Sequence, residues 1–455
     1  MPAVPSLARI AATCLALLAA VPTTAQQAGP SILRDAETEA FFKDLARPLI
    51  IAAGLDPRSV QIVLVGDPSI NAFAGGGQNV FIHSGTIVAA TNVNMLQGII
   101  AHELGHISGG HNVRFNEGAG PATNISLLSL LAAGAAVALG AGEAGMAILG
   151  AGTAVAQGKF LAFSREQESR TDAAGATFLS KAGISGKGSI DFFKLLQGQE
   201  FRLAIKQDNE YNRTHPLTGT RIATLENTYR GDRAWDKPSD AILEARFKRV
   251  KGKLVGYVDD PSHVFVVYPE SDSSEGARYA RAYAWHRTAY AEPAAREIDA
   301  LLKGRPADPY FLELKGQILL EGGKPAEAIP VLRRAVAVAP DQPLIATQLG
   351  HALVSTEDPA NLVEAEVLLR KAIAQDRENP FAWYNLGVIF NRRQDEPRAA
   401  LAQAESANLS GDAKSAAAKA RFARAGLPKG TRDWLRADDI AEVAANELQD
   451  RKKRR

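Results

Sequence analysis

One cysteine, Cys14, occurs in the 455 residues. An excess of charge of either sign is also missing: the formal net charge is +2, which gives no reason to expect a nucleic-acid partner. The only basic run is the terminal "RKKRR", read as a solvated end. Long apolar runs are scarce. The first, Ile10 to Val21, is too short to span a bilayer comfortably. It follows Arg9 and precedes Thr23, Thr24 and Ala25, the charged, apolar and small-residue order of an export signal. Residues 1–25 are therefore expected to be a signal peptide cut after Ala25, in preference to a membrane anchor. Cys14 lies within the apolar run and not at its end, which argues against a lipid-anchored product. The mature chain would then hold no cysteine. Disulfides, cysteine catalysis and cysteine metal ligation drop out, and a bacterial periplasm fits as the destination.

What is present divides the chain in two. A hydrophobic content of 46% and a charged content of 22% are ordinary for globular protein, with room for two to four domains. From Ser31 to about Tyr257, β-type runs such as "VQIVLVGD" and "NVFIHSGTI" alternate with helical patterns, as in an α+β domain, here bounded at 26–255. A turn-rich junction is read at 256–276. Beyond it all strand character is lost. "GQILLEGGKPAEAIPVLRRAVAVAP" places Gly316, Ala328, Leu332, Ala335 and Pro340 in the order of a tetratricopeptide repeat. One period forward lies Gly350. One period back lie Ala282, Ala294, Ile298 and Pro306. A further unit, with Trp383, Leu386, Gly387 and Phe390, begins after a slip of a few residues. An all-α solenoid is expected over 277–425, then a C-terminal helix and basic tail over 426–455.

The chemistry concentrates in "AHELGHISGGHN", Ala101 to Asn112. The stretch from Met95 reads as a helix, with Asn94 and Gln97 resembling a capping box and Leu96, Ile100, Leu104 and Ile107 forming a core stripe. Gly109 and Gly110 stop it. His102 and His106, four apart, project from one face about a turn apart, the spacing of two nitrogens on one Zn²⁺. Glu103 stands beside them without being a ligand, placed to act as general base toward an attacking water.

A catalytic zinc needs a third ligand. An extended motif with a third histidine would use Gly109, but His111 arrives one residue early and Asn112 holds the required place. A second helix, "SREQESRTDAAGATFLSKAG", offers Glu166, Glu168 and Asp172. Glu168 and Asp172 share a face, so one could ligate while the other accepts a hydrogen bond from a ligating histidine.

Taken in order, "NAFAGGGQNVFIHSGTI", "HELGH", "ESRTD" and "HPLTGTR" resemble the membrane-linked and periplasmic gluzincins. These include the CAAX prenyl endopeptidases and the BepA-type proteases with tetratricopeptide tails. The resemblance covers most of Ser31 to Leu225 and, through the repeats, much of the remainder. It implies a zincin-like, mostly helical protease domain holding one Zn²⁺ per chain. It makes Glu168 the third ligand and Asp172 its supporting carboxylate, and leaves His111 as a helix-end residue. It puts His215 and Arg221 near the substrate oxyanion, or His215 in the fourth metal position as a plug. It makes the strand Asn79, Val80, Phe81, Ile82 a substrate-binding edge.

The resemblance also implies unfolded or misassembled envelope proteins as substrates, and the outer-membrane β-barrel assembly machinery as a partner. The segment Asn124 to Gly158 is rich in Ala and Gly and nearly uncharged apart from Glu143. It reads as a buried or membrane-touching helical hairpin in preference to two spans. The leading expectation is thus a periplasmic zinc endopeptidase. A chaperone or scaffold with little proteolysis and a membrane-embedded protease are the alternatives. A domain ending near Gly276 is expected to keep its metal alone.

Overall fold

The structure, a computed structural model, describes residues 31–111, 125, 128–130, 142–202, 215, 219–356 and 358–453. The expected signal peptide and much of the 124–158 segment lie outside them. Strand β1 (Ser31–Leu33) leads into helix α1 (Ala36–Ala52). The side chain of Asp35 accepts from the Thr38 N–H and caps that helix, and Phe41, Phe42, Leu45 and Leu49 fall on its buried face. Strands β2 (Gln61–Gly66), β3 (Ala72–Gly75) and β4 (Asn79–His83) follow.

The four strands form one sheet in the order β1-β2-β4-β3. β4 runs parallel to β2, with Gln61 opposite Asn79, and antiparallel to β3, with Phe73 opposite Phe81. Asn79 to Ile82 are therefore an inner strand, paired on both sides, and the expected edge is β3 instead. Phe73 and Phe81 stack across the pair at 5.0 Å.

Helices α2 (Ser84–Ala89) and α3 (Val93–Gly109) cross the sheet. α3 begins two residues earlier than a cap at Asn94 would have it. Asn92 is the N-cap, accepting from the Met95 N–H. Asn94 is buried and works at long range: its Nδ2 donates to the Ser185 carbonyl and its Oδ1 accepts from the Gly188 N–H. Helix α4 (Gly142–Ala182) runs unbroken for 41 residues, so residues 142–158 of the apolar stretch share one helix with the "ESRTD" motif. It can lie close to α3 because position 105 is glycine. A Cβ there would stand 2.9 Å from the Thr171 carbonyl. α5 (Lys187–Arg202) and α6 (Gly219–Arg230) complete the layer around α3 and α4. Among the described residues no helix is long and apolar enough to cross a membrane. Leu128, Leu130, Met146 and Val155 are nevertheless exposed.

The expected junction is not a loose linker. α7 (Ala241–Val258) runs past Gly256, α8 (Pro261–Val267) is a short helix inside the segment, and α9 (Glu275–Arg287) packs along α7. The contact is tight because a Cβ at Gly252 would strike the Gly276 carbonyl at 2.2 Å. Buried charges clamp this contact. Arg249 of α7 reaches Glu37 at 2.6 Å and Asp308 at 2.7 Å, with its guanidinium 4.3 Å from the Phe311 ring. Lys253 pairs with Asp35 and lies over Tyr279 and Tyr283. Burial pushes the Glu37 carboxyl upward even with Lys253 and Arg249 beside it.

The repeat half continues with α10 (Ala291–Gly304), α11 (Pro309–Glu321), α12 (Pro325–Val338), α13 (Pro343–Ser355) and α14 (Pro359–Gln375). It ends with α15 (Pro380–Arg392), α16 (Glu396–Leu409), α17 (Ala413–Gly426) and α18 (Arg432–Lys453). Proline opens many of these helices, where its missing N–H costs nothing. α11 and α13 start one ~34-residue period apart. The slip before Trp383 has a local cause: α14 has 17 residues where α12 has 14. Gly316 and Gly350 face Leu332 and Leu369 of the second helix in each hairpin, where a Cβ would clash. This is a helical-repeat solenoid following a mostly helical N-terminal domain with a small sheet.

Candidate metal centre

His102 and His106 sit one turn apart on α3, as their spacing requires, and both are buried. α4 brings Glu168 beneath them, and His215 enters from the segment before α6. The four donor atoms converge. His102 Nε2 and His106 Nε2 are 3.3 Å apart, and each is 3.3 Å from His215 Nδ1. Glu168 Oε1 lies 3.0 Å from His215 Nδ1 and 3.3 Å from His106 Nε2, and its Oε2 lies 3.4 Å from His102 Nε2. A tetrahedron whose corners stand ~2.0–2.1 Å from its centre has edges of ~3.3 Å. The residues thus fit a single tetrahedral cation. Three imidazole nitrogens and a carboxylate aimed at one point form a donor set for such an ion.

The surroundings orient this set. Asp172 Oδ1 lies 3.1 Å from His102 Nδ1, which turns that ring's Nε2 toward the centre. Arg221 donates from Nε and Nη2 to both Asp172 oxygens at 2.8 and 2.9 Å, and its Nη2 is 3.0 Å from Glu168 Oε2. It therefore braces the carboxylates from behind, whereas the family resemblance leads one to expect it near an oxyanion. Its guanidinium also lies 5.5 Å from the Phe193 ring. Burial opposes a charge on His102, yet Asp172 and Glu168 overcome this and push its pKa up to about 10. His106 moves the other way, through burial and the charge of His102. Burial works against ionised Glu168, but His102, His106 and His215 hold it far below the usual carboxylate range. Such a site is built to receive positive charge.

Glu103 occupies the remaining place. It is fully buried, and its Oε1 lies 3.7 Å from His215 Nε2. Neither carboxylate oxygen has a hydrogen-bond partner among the described residues. A buried carboxylate left in that state is costly unless it serves chemistry. Glu166, the other candidate on α4, is exposed and paired with Arg170 at 2.5 Å, away from the cluster. His111 contributes no ligand atom to the cluster; its Nδ1 lies 3.0 Å from His106 Nδ1. Sequence reasoning missed this contact and Thr171, which is buried between Glu168 and Asp172. Position within "ESRTD" was the only signal for Thr171. Asn79 to Ile82 are not among the cluster residues, and among the described residues the outer strands are β1 and β3, not β4.

Comparison with known proteins agrees with this geometry. Residues 33–229 match Peptidase family M48. The chain is 24% identical over 422 residues to a beta-barrel assembly-enhancing protease of Yersinia pestis, covering 90% of this chain and 84% of the relative. To the protein of the same name from Escherichia coli (strain K12) it is 23% identical over 391 residues, covering 84% and 77%. Among solved structures, YrrB, a TPR protein with an unusual peptide-binding site, aligns with a TM-score of 0.31 and 20% identity. That alignment covers 39% of this chain and 90% of YrrB. Residues 33–229 are a Peptidase family M48 domain, and the chain that carries them is a metalloprotease.

Proposed function

We propose that the protein is a zinc-dependent endopeptidase of the bacterial periplasm that cuts misfolded or misassembled outer-membrane proteins. Its repeat half receives clients or partners, the β-barrel assembly machinery among them. The observation that carries the reading is Glu103, buried and without a hydrogen bond among the described residues, beside a four-donor tetrahedral cluster. The names of the two relatives, beta-barrel assembly-enhancing proteases, support the envelope setting. Zn²⁺ held by His102, His106 and Glu168 would polarise a scissile carbonyl and make water more acidic. Glu103 takes the proton of the attacking water. Asp172 fixes the His102 tautomer, and Arg221 keeps both carboxylates in place. The free side of β3 offers backbone groups to an extended client chain, and β3 packs along α3. Exposed Leu128, Leu130, Met146 and Val155 offer an apolar surface to a membrane or an unfolded client.

Purified protein is expected to hold one zinc and to digest unfolded casein; a metal-free chain with no activity overturns the proposal. Glu168→Ala should strip the metal far more completely than His111→Ala. The reverse order in a metal analysis would show the third ligand to be misassigned.

His215 favours a resting state that is closed. With Nδ1 at the fourth corner, no corner faces substrate, which also supports a scaffold reading in which proteolysis is rare. His215→Ala is expected to raise basal proteolysis and to bring self-cleavage. A fall of ~10²–10³-fold in turnover would assign the residue to the oxyanion instead. Unaltered activity with an unaltered Co²⁺ spectrum removes it from the site.

A further inference from the structure

The two histidines of α3 are held from behind in different ways. His102 has a carboxylate at its Nδ1. His106 has no carboxylate there: its Nδ1 faces His111 Nδ1 at 3.0 Å and Thr171 Oγ1 at 3.5 Å, and Thr171 Oγ1 lies 3.1 Å from the same His111 nitrogen. If His106 offers Nε2 to a metal, its proton sits on Nδ1 and needs an acceptor. His111 supplies one when its own proton is on Nε2. The chain is shaped to bring that ring back over the helix end. Gly110 takes the left-handed conformation, φ 64°, which ends α3 and reverses the backbone. Position 109 must lack a side chain, because a Cβ there would stand 2.5 Å from His111 Nε2 and 2.8 Å from its Cδ2.

We propose that His111, seated by Gly109 and Gly110, is a positioning residue that accepts the Nδ1 proton of His106 and so aims His106 at the metal. The proposal rests on the zinc-centre reading above. It gives the third histidine of "HELGHISGGH" a task other than ligation, and it makes the glycine pair part of the site as well as a helix stop. Thr171, from the α4 turn that also carries Glu168, ties the same triangle to the third ligand.

The test compares two replacements in the full-length chain. His111→Asn puts an amide oxygen where the ring Nδ1 stood, and His111→Leu keeps bulk without an acceptor. The Leu variant should hold Zn²⁺ ~10–100-fold more weakly in chelator competition. It should also alter the visible spectrum of the Co²⁺-loaded protein and lower kcat with KM little changed. The Asn variant should recover most of the metal affinity and the spectrum. Gly109→Ala, which displaces the ring, should resemble the Leu variant, and combining the two should add little to either alone. A Leu variant that binds metal as tightly as the wild type with the same Co²⁺ spectrum overturns the proposal. So does an Asn variant as impaired as the Leu variant, because bulk and not an acceptor would then be at issue. A wild-type chain that binds no metal overturns the zinc-centre reading itself, an outcome distinct from both.

Discussion

Glu103→Gln is expected to leave one metal ion per chain and to lower the turnover of unfolded casein about 10²–10⁴-fold. The amide matches the carboxylate in size, so the buried site should accept it, but it cannot take a proton from water. Because Glu103 has no hydrogen-bond partner among the described residues, the substitution breaks no hydrogen bond and its stability cost should be small. This separates chemistry from folding, which few active-site changes do cleanly. The measurement is a pair: metal content by elemental analysis and cleavage rate on the same sample. Cleavage at the wild-type rate would remove Glu103 as the base, and loss of metal would make it a structural residue.

Arg249→Met should produce a large loss of stability, about 3–5 kcal/mol, because Asp308 would stay buried without its cation and Glu37 would keep only Lys253. Methionine keeps much of the stem, so the effect reports charge more than volume. Denaturant unfolding at neutral pH checks it, and a change below about 1 kcal/mol would show that water reaches the cluster. The same cluster bears on a chain cut near Gly276, which is expected to keep its metal. A cut there takes Tyr279, Tyr283, Asp308 and Phe311 away from Arg249 and Lys253, and leaves the side of α7 that faces α9 uncovered.

What could be read in the residues was local. Four-residue spacing put His102 and His106 on one face, and glycines at 109 and 110 marked the helix end. The ~34-residue period announced the solenoid. Glu168 was one of three acidic candidates until the motif order singled it out, and only the fold shows Glu166 turned away toward Arg170. Asn94 looked like a cap because a cap is a local pattern. Its partners, Ser185 and Gly188, lie some ninety positions onward, beyond any window of propensity. The inner placement of Asn79 to Ile82 depends on parallel pairing with β2, and alternation of side chains does not reveal which strand lies beside which. The motif suggests Arg221 for the oxyanion, and the fold shows it against Asp172 and Glu168, because a motif gives adjacency but not the side from which a group approaches.

The four donors also come from distant parts of the chain: His102 and His215 are separated by 113 positions. Bringing such ends together costs chain entropy of roughly 4 kcal/mol on a (3/2)RT ln n scale. The site can therefore exist only late in folding, once α3, α4 and the segment before α6 have docked. An ion that binds the finished set and not the loose chain pulls that docking equilibrium forward. Chelation should accordingly act as a mechanical release: on treatment with a chelator the N-terminal half should begin to unfold at a lower temperature, well before the solenoid melts.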